Sequence, residues 1–135
     1  MNAYQKLLNL TREIAILTSS ASVLGWDQET YMPQCGVSYR ARQIAWLDAR
    51  AHRMGTGSRF RKLLEEADKS SSGLAPVERA NLGEWKYQYD RASRIPSSEV
   101  AKLSEASALA KQAWGRAREL SEFRRFEPHL ESLLE

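Results

Sequence analysis

Cysteine and histidine are scarce in this sequence, and both shortages narrow what the chain can be. The single cysteine, Cys35, excludes an intrachain disulfide framework and is typical of a reducing compartment, so we expect a cytoplasmic protein. His52 and His129 are the only histidines, and neither belongs to a His-Glu-x-x-His or Glu-x-x-His pair. Because a metal site needs three or four such ligands, the sequence predicts no metal and no cofactor in this chain.

Long apolar runs and phosphate-binding loops are also missing. No stretch of 18 apolar residues occurs, and "MNAYQKLLNLTREIAIL" is interrupted by charges, so we expect neither a membrane partner nor a signal peptide. The segment "GTGS" lacks the lysine of a P-loop, and the Gly-x-Ser-x-Gly pattern of serine hydrolases is absent. The sequence thus contains none of the common nucleotide-binding or nucleophilic motifs.

Charge of one sign is not in strong excess. The net charge is +3, and the arginines alternate with acids along the chain. A nucleic-acid-binding protein usually gathers its basic residues on one face, so we expect no nucleic-acid partner. The segment "WKYQYDR" could also be interpreted as aromatic side chains interleaved with cations, as in single-strand binders. Those binders present a sheet or barrel, which a helical chain does not offer.

The apolar residues that are present recur with helical spacing. They predict an all-α fold, an antiparallel bundle or set of hairpins of five to six helices, forming one domain over residues 1–135. The first helix should end near Gly25 or shortly after, and before Pro33, because proline disfavours helix at the preceding residue. The apolar pattern still runs at Leu133 and Leu134 without a C-cap, as in a chain cut inside a longer helix.

The remaining helices have recognisable starts. The second begins after Gly36, and Pro76 occupies the first turn of the fourth. Serines are the expected N-caps of the third, fifth and last helices: Ser58, Ser97 or Ser98, and Ser121. The apolar stripe expected for the second helix consists of Val37, Ala41, Ile44, Leu47, Ala51 and Met54. The one expected for the short third helix consists of Phe60, Leu63, Leu64 and Ala67. The one expected for the fifth helix consists of Val100, Leu103, Ala106, Ala110, Trp114, Ala117 and Leu120.

The segment "GWDQETYMP" combines acids and aromatics at the end of the first helix. Asp27 and Glu29 are the best acid pair in the chain, but at positions i and i+2 they point in different directions on a helix. Asp27 or Thr30 could equally satisfy free backbone groups at a helix-to-loop corner. We therefore favour a structural role for this segment and predict no catalytic residue.

In "LGWDQETYMP" the sequence resembles the N-terminal signature of the carboxypeptidase Taq family of metallopeptidases. The segments "YQKLLNLTREIAIL", "RARQIAWLDARAH", "RANLGEWKYQYDRASRIPSSEV", "SEASALAKQAWGRAR" and "FEPHLESLLE" are also similar to successive N-terminal segments of that family. One position departs from the family pattern, which has arginine two residues after the asparagine matched by Asn81. Gly83 stands there, and it weakens a helix by up to ~1 kcal/mol relative to alanine.

This resemblance implies the N-terminal part of a larger, mostly helical, often dimeric carboxypeptidase. Such an enzyme uses zinc or cobalt to remove C-terminal amino acids from peptides, usually not proline. The family's His-Glu-x-x-His motif matches no residue here, so we expect this chain to be inactive alone. The signature residues become candidates for the rim of the substrate groove: Trp26, Asp27, Glu29, Thr30, Met32 and Pro33.

Two interpretations remain open at this point. The chain is either the N-terminal portion of a family carboxypeptidase or a stand-alone helical module for protein interaction or oligomerisation. In both cases the faces that the catalytic region would cover are exposed. We therefore expect a homo-oligomer formed through apolar helix faces.

Overall fold

A computed structural model describes residues 1–134, which fold into six α-helices and three short 3₁₀ turns, with no strand among these residues. The expected all-α fold is therefore confirmed. The α-helices are α1 (Ala3–Thr30), α2 (Val37–Thr56), α3 (Ser58–Lys69), α4 (Pro76–Ala92), α5 (Ser97–Leu120) and α6 (Glu127–Leu134). The 3₁₀ turns cover Gln34–Gly36, Ser71–Gly73 and Phe123–Arg125.

The main hydrophobic core lies where the N-terminal half of α1 meets α3 and α4. Leu7 is fully buried there, and all four apolar positions expected on α3 are buried with it. The ring of Tyr4 stacks on that of Trp85 with centroids 5.5 Å apart, while its hydroxyl accepts a hydrogen bond from Asn81. The other buried members of this core are Leu10, Phe60, Leu63, Leu64, Ala67, Leu74 and Leu82.

A second interface joins α2 to α5, and its buried residues are alanines. Ala41, Ala45 and Ala49 are buried at successive i, i+4 positions of α2, and Ala108 and Ala110 are buried on α5. Such small side chains let two helix backbones approach closely. The stripes expected from the sequence were right at Ala41, Ala51, Ala110 and Ala117, which are buried. They omitted the buried Ala45, Ala49 and Ala108, and they included Leu103, Trp114 and Leu120, which are exposed.

Helix α1 is longer than the sequence predicted. It continues through Gly25 and ends at Thr30, still before Pro33 as expected. Gly25 keeps a negative φ like every glycine among the described residues, so nothing there forces the helix to stop. The extra turn brings Asp27 and its neighbours onto a helix rather than a loop.

The expected serine N-caps were wrong. Ser58 and Ser97 are the first residues of α3 and α5, and Gly57 and Pro96 occupy the N-cap positions. Ser121 ends α5 instead of starting α6, with a left-handed φ of 55°. This conformation reverses the chain so that the Glu122 N–H donates to the carbonyl of Ala117 at 2.9 Å. By contrast, α2 begins after Gly36 and Pro76 opens α4, as expected.

Candidate functional site

The signature segment forms a closed corner between α1 and α2. The backbone N–H groups of Tyr31 and Met32 both donate to the carbonyl of Asp27 at 3.0 Å, which terminates α1. The Thr30 hydroxyl donates to the carbonyl of Trp26 at 2.9 Å. Pro33 then takes an extended conformation ahead of the 3₁₀ turn. These local hydrogen bonds account for the structural role that the sequence predicted for Thr30.

Arg40 of α2 ties this corner together. One of its terminal nitrogens, Nη1, donates to Oδ2 of Asp27 at 2.6 Å and to the carbonyl of Leu24 at 2.8 Å. Its Nε donates to Gln43 at 3.1 Å, and only 16% of the arginine side chain is exposed. A charge-assisted contact of this burial is stronger than a surface ion pair. The sequence did not single out Arg40, since nothing in a row of arginines marks the one that reaches back to α1.

The two signature acids have separate partners. Asp27 pairs with Arg40, whereas Glu29 forms an ion pair with Lys111 of α5. The divergence that their i, i+2 spacing predicted is therefore present. The two carboxylates therefore do not share a cation.

A polar cleft of about 370 Å³ opens between this corner and the C-terminal half of α5. We call it the signature cleft, because it contains three of the six signature residues: Glu29, Thr30 and Met32. Its other lining residues are Gln28, Gln34, Lys111, Gln112, Gly115, Arg116 and Glu119. Trp26 and Tyr31 lie outside the cleft and are 59% and 78% exposed, with their rings in edge contact at 5.8 Å.

Gln28 is the buried polar residue of this site, and sequence inspection passed over it. Its side-chain Nε2 donates to the carbonyl of Ala108 on α5 at 2.8 Å, which links α1 to α5. The residue is only 7% exposed, and its Oε1 has no hydrogen-bond partner among the described residues. The only signal in the sequence was its spacing, which places Gln28 on the same face of α1 as the buried residues Leu7 and Ala21.

The residues that the structure describes do not fit a catalytic metal. No group of three or more His, Cys, Asp or Glu side chains within residues 1–134 is arranged to hold one. Both ring nitrogens of His52 are within hydrogen-bond distance of other groups, the Ser97 hydroxyl at 2.8 Å and the Ala92 carbonyl at 3.0 Å. His52 therefore joins the ends of three helices. Cys35 is exposed in the turn after the corner.

Comparison with known proteins identifies the family. The sequence profile of the carboxypeptidase Taq (M32) metallopeptidases matches residues 6–135. The chain belongs to this family. It is 37% identical over 130 residues to thermostable carboxypeptidase 1 of Thermus thermophilus, covering 95% of this chain and 26% of that protein. It is 25% identical over 136 residues to carboxypeptidase 1 of Bacillus subtilis, covering 100% of this chain and 27% of that protein.

Solved structures share the same helical arrangement. The BsuCP crystal structure superposes with a TM-score of 0.92 at 23% identity, which establishes a common fold, over 95% of this chain and 26% of that one. Metallocarboxypeptidase 1 of Trypanosoma cruzi superposes with a TM-score of 0.71 at 29% identity, with the same coverage of 95% and 26%. The M32 chain described here thus spans about a quarter of the length of the relatives it matches.

Proposed function

We propose that this chain forms the N-terminal helical portion of an M32 metallocarboxypeptidase that removes C-terminal amino acids from peptides. The observation that carries the proposal is the family match, which extends over residues 6–135 while covering about a quarter of each relative. The catalytic metal, zinc or cobalt, would be held outside this chain, because residues 1–134 contain no group of side chains that could hold one. The chain by itself would then have no peptidase activity.

The signature corner would border the substrate groove in this enzyme. The support is geometric: the acids and Thr30 are held in place by Arg40, Lys111 and the end of α1, next to an open cleft. A wall fixed in this way can position a peptide without taking part in the chemistry. Trp26, Asp27, Glu29, Thr30, Met32 and Pro33 are assigned to this rim.

The chain exposes more surface than a compact monomer of its size, which supports a further packing partner. The chain exposes 9152 Å², whereas a compact monomer of 15.4 kDa is expected to expose about 7,200 Å². The excess is larger than the ~800 Å² that each partner buries in a standard interface. Exposed apolar side chains are frequent on α1 and α2: Ile16, Val23, Trp26, Tyr39 and Trp46.

A chimera tests the proposed function directly. The matching region of the Thermus thermophilus enzyme would be replaced by this chain, and release of C-terminal amino acids would be measured with zinc or cobalt. We expect activity well above that of the same enzyme lacking the region. Leu7→Asp, which places a charge at a fully buried position, serves as the unfolded control. A chimera that is folded and metal-loaded but inactive would contradict the proposal.

The exposed apolar faces also favour the alternative, a helical module for protein interaction or oligomerisation. We propose that the isolated chain forms homo-oligomers through the exposed side chains of α1 and α2. Trp46→Ser should shift the sedimentation equilibrium towards monomer, because Trp46 is 61% exposed. Val77→Ser on α4, where the valine is 67% exposed, is the matched control and should have no effect. A wild-type chain that stays monomeric at high concentration would rule this out.

We further propose that the protein acts in the cytoplasm and binds neither nucleic acid nor membrane. The support for the cytoplasm is the single exposed thiol of Cys35. None of the helices in residues 1–134 combines the length and hydrophobicity that a bilayer crossing requires. Fluorescence microscopy of the tagged chain would test the location and the absence of membrane binding, and a gel shift at low and high salt would test for nucleic-acid binding.

A further inference from the structure

A groove on another side of the chain is larger than the signature cleft and shares no lining residue with it. It has a volume of about 630 Å³ and lies between α1, α2, α4 and α5, with Phe60 of α3 in its wall. We call it the aromatic groove, because the rings of Phe60, Trp85 and Tyr89 line it. Its volume is within the ~300–1,000 Å³ typical of small-ligand sites. The proposed function gives this groove no role.

The aromatic groove is elongated, and its two ends differ in chemistry. Its lining residues on α2 fall within 48–56, a stretch that spans about 12 Å at the ~1.5 Å rise of an α-helix. Phe60 follows the Thr56 end of this stretch, and its ring stacks on that of Tyr89 with centroids 6.0 Å apart. Asp48 and its partner Ser104 lie at the opposite end of the stretch. One end is therefore aromatic and the other carries a carboxylate.

Asp48 is the one lining residue with a formal charge. Its Oδ2 accepts a hydrogen bond from the Ser104 hydroxyl at 2.6 Å, and the residue is half-buried. None of the ion pairs among residues 1–134 includes Asp48. A half-buried carboxylate with a hydroxyl as its partner leaves its charge to be balanced by a ligand.

His52 lines the same groove, but its ring nitrogens are both engaged within the protein. The Ala92 carbonyl can only accept a hydrogen bond, so Nε2 carries a proton and donates to it at 3.0 Å. In the neutral ring, Nδ1 then accepts from the Ser97 hydroxyl at 2.8 Å. Asp48 alone therefore sets the charge preference of the groove. Since the whole chain has a net charge of +3, it does not attract cations in general, and a bound cation would depend on this local contact.

We propose that the aromatic groove binds a small arylalkyl amine, with its ammonium group on Asp48 and its ring against Phe60, Trp85 and Tyr89. The ammonium group would make a charge-assisted hydrogen bond to the carboxylate. The aryl group would be removed from water against the three rings. This site is independent of the proposed peptidase role, because it uses none of the signature residues.

The test is isothermal titration calorimetry of the whole chain with 4-phenylbutylamine, whose length suits the groove. Three relatives of this probe separate the two contacts: 4-phenylbutanol lacks the charge, 4-phenylbutyrate reverses it, and butylamine lacks the ring. We expect saturable binding of the arylalkyl amine and at least about tenfold weaker binding of the other three, since losing a hydrogen bond to a charged group costs about that factor. No saturable binding of the amine, or equal affinity for the alcohol, would overturn the proposal.

Asp48→Asn provides the specific variant. Asparagine keeps the shape of the side chain and an oxygen that can accept from Ser104, so the fold should survive, which circular dichroism checks. The affinity for 4-phenylbutylamine should fall about tenfold, whereas that for 4-phenylbutanol should stay unchanged. Asp90→Asn is the matched control, because it removes the same charge at an exposed position next to Tyr89 that does not line the groove. Equal losses in the two variants would show that Asp48 makes no specific contact and would overturn the proposal.

NMR of the ¹⁵N-labelled chain locates the bound amine. Saturable shifts are expected for the backbone amide of Gly55 and for the indole N–H of Trp85, which both line the groove. Gly25 is the reporter for an inner cavity of about 340 Å³ that Asp48 also borders. Shifts at Gly25 without shifts at Gly55, or shifts confined to the exposed indoles of Trp46 and Trp114, would place the amine elsewhere and overturn the assignment.

Discussion

Replacing Arg40 by methionine tests whether the signature corner depends on this one side chain. Methionine keeps the aliphatic packing of the arginine stem but removes its donors to Asp27, Leu24 and Gln43. The contact with Asp27 is charge-assisted, but its contribution to stability is reduced because 35% of the aspartate side chain is exposed to solvent. With smaller contributions from the other two contacts, we expect a loss of about 2 kcal/mol in the free energy of unfolding.

Urea unfolding followed by circular dichroism at the helix band measures this loss. For a chain of this length, about 2 kcal/mol corresponds to a fall in Tm of roughly 6–10 °C. Arg42→Met is the matched control: it makes the same chemical change at an exposed position of the same helix, and it should change stability by less than about 0.5 kcal/mol. Equal losses in the two variants would refute the argument.

A double-mutant cycle isolates the pair itself. Asp27→Asn removes the negative charge while keeping a side chain of the same shape. If the Arg40–Asp27 contact stabilises the corner, Arg40→Met should cost less in the Asp27→Asn background, with a coupling free energy of about 1 kcal/mol. Strictly additive losses would show that Arg40 acts through Leu24 and Gln43 alone.

Four further substitutions test the fold. Gly83→Ala should raise the free energy of unfolding by up to ~1 kcal/mol in urea unfolding, because an added Cβ meets nothing within 4 Å. Gly57→Ala should lower it, because the added Cβ would lie 2.8 Å from the carbonyl oxygen of Arg53. Stability changes of the same sign in the two variants would contradict this. Leu7→Ala at the fully buried position should cost about 2–5 kcal/mol, and a loss below ~1 kcal/mol would be inconsistent with this core. Ala45→Leu should cost about 1–3 kcal/mol by separating α2 from α5, while no loss would show that the interface is loose.

Local signals in the sequence predicted most of the helix boundaries. Pro33, Gly36 and Pro76 restrict the backbone through their own covalent structure, so their effect does not depend on the rest of the molecule. Serine capping was less predictable, since Ser58, Ser97 and Ser121 compete with a neighbouring glycine, proline or left-handed turn for each helix end. A difference of one residue in the start of a helix changes which side chain is free to cap it.

Burial was predicted well in α3 and poorly in α5. In α3 the four apolar positions form one narrow stripe, so a single face can be buried. In α5 apolar residues occur all round the helix, and periodicity alone does not say which of them meets α2. Leu103 and Trp114 are exposed, while Ala108 and Ala110 are buried, because the short distance to α2 selects small side chains.

By itself the sequence determined the helical class, the family and the structural character of the signature corner. The helical class and the corner follow from residues that act over one or two helical turns. The family follows from a motif that is recognised by the order of its residues along the chain. Only the tertiary structure decided that Arg40 reaches Asp27, that Glu29 meets Lys111, and that Gln28 is buried against α5 with an unsatisfied oxygen. Those contacts join residues 13 to 82 positions apart, and the packing of α1 against α2 and α5 brings them together.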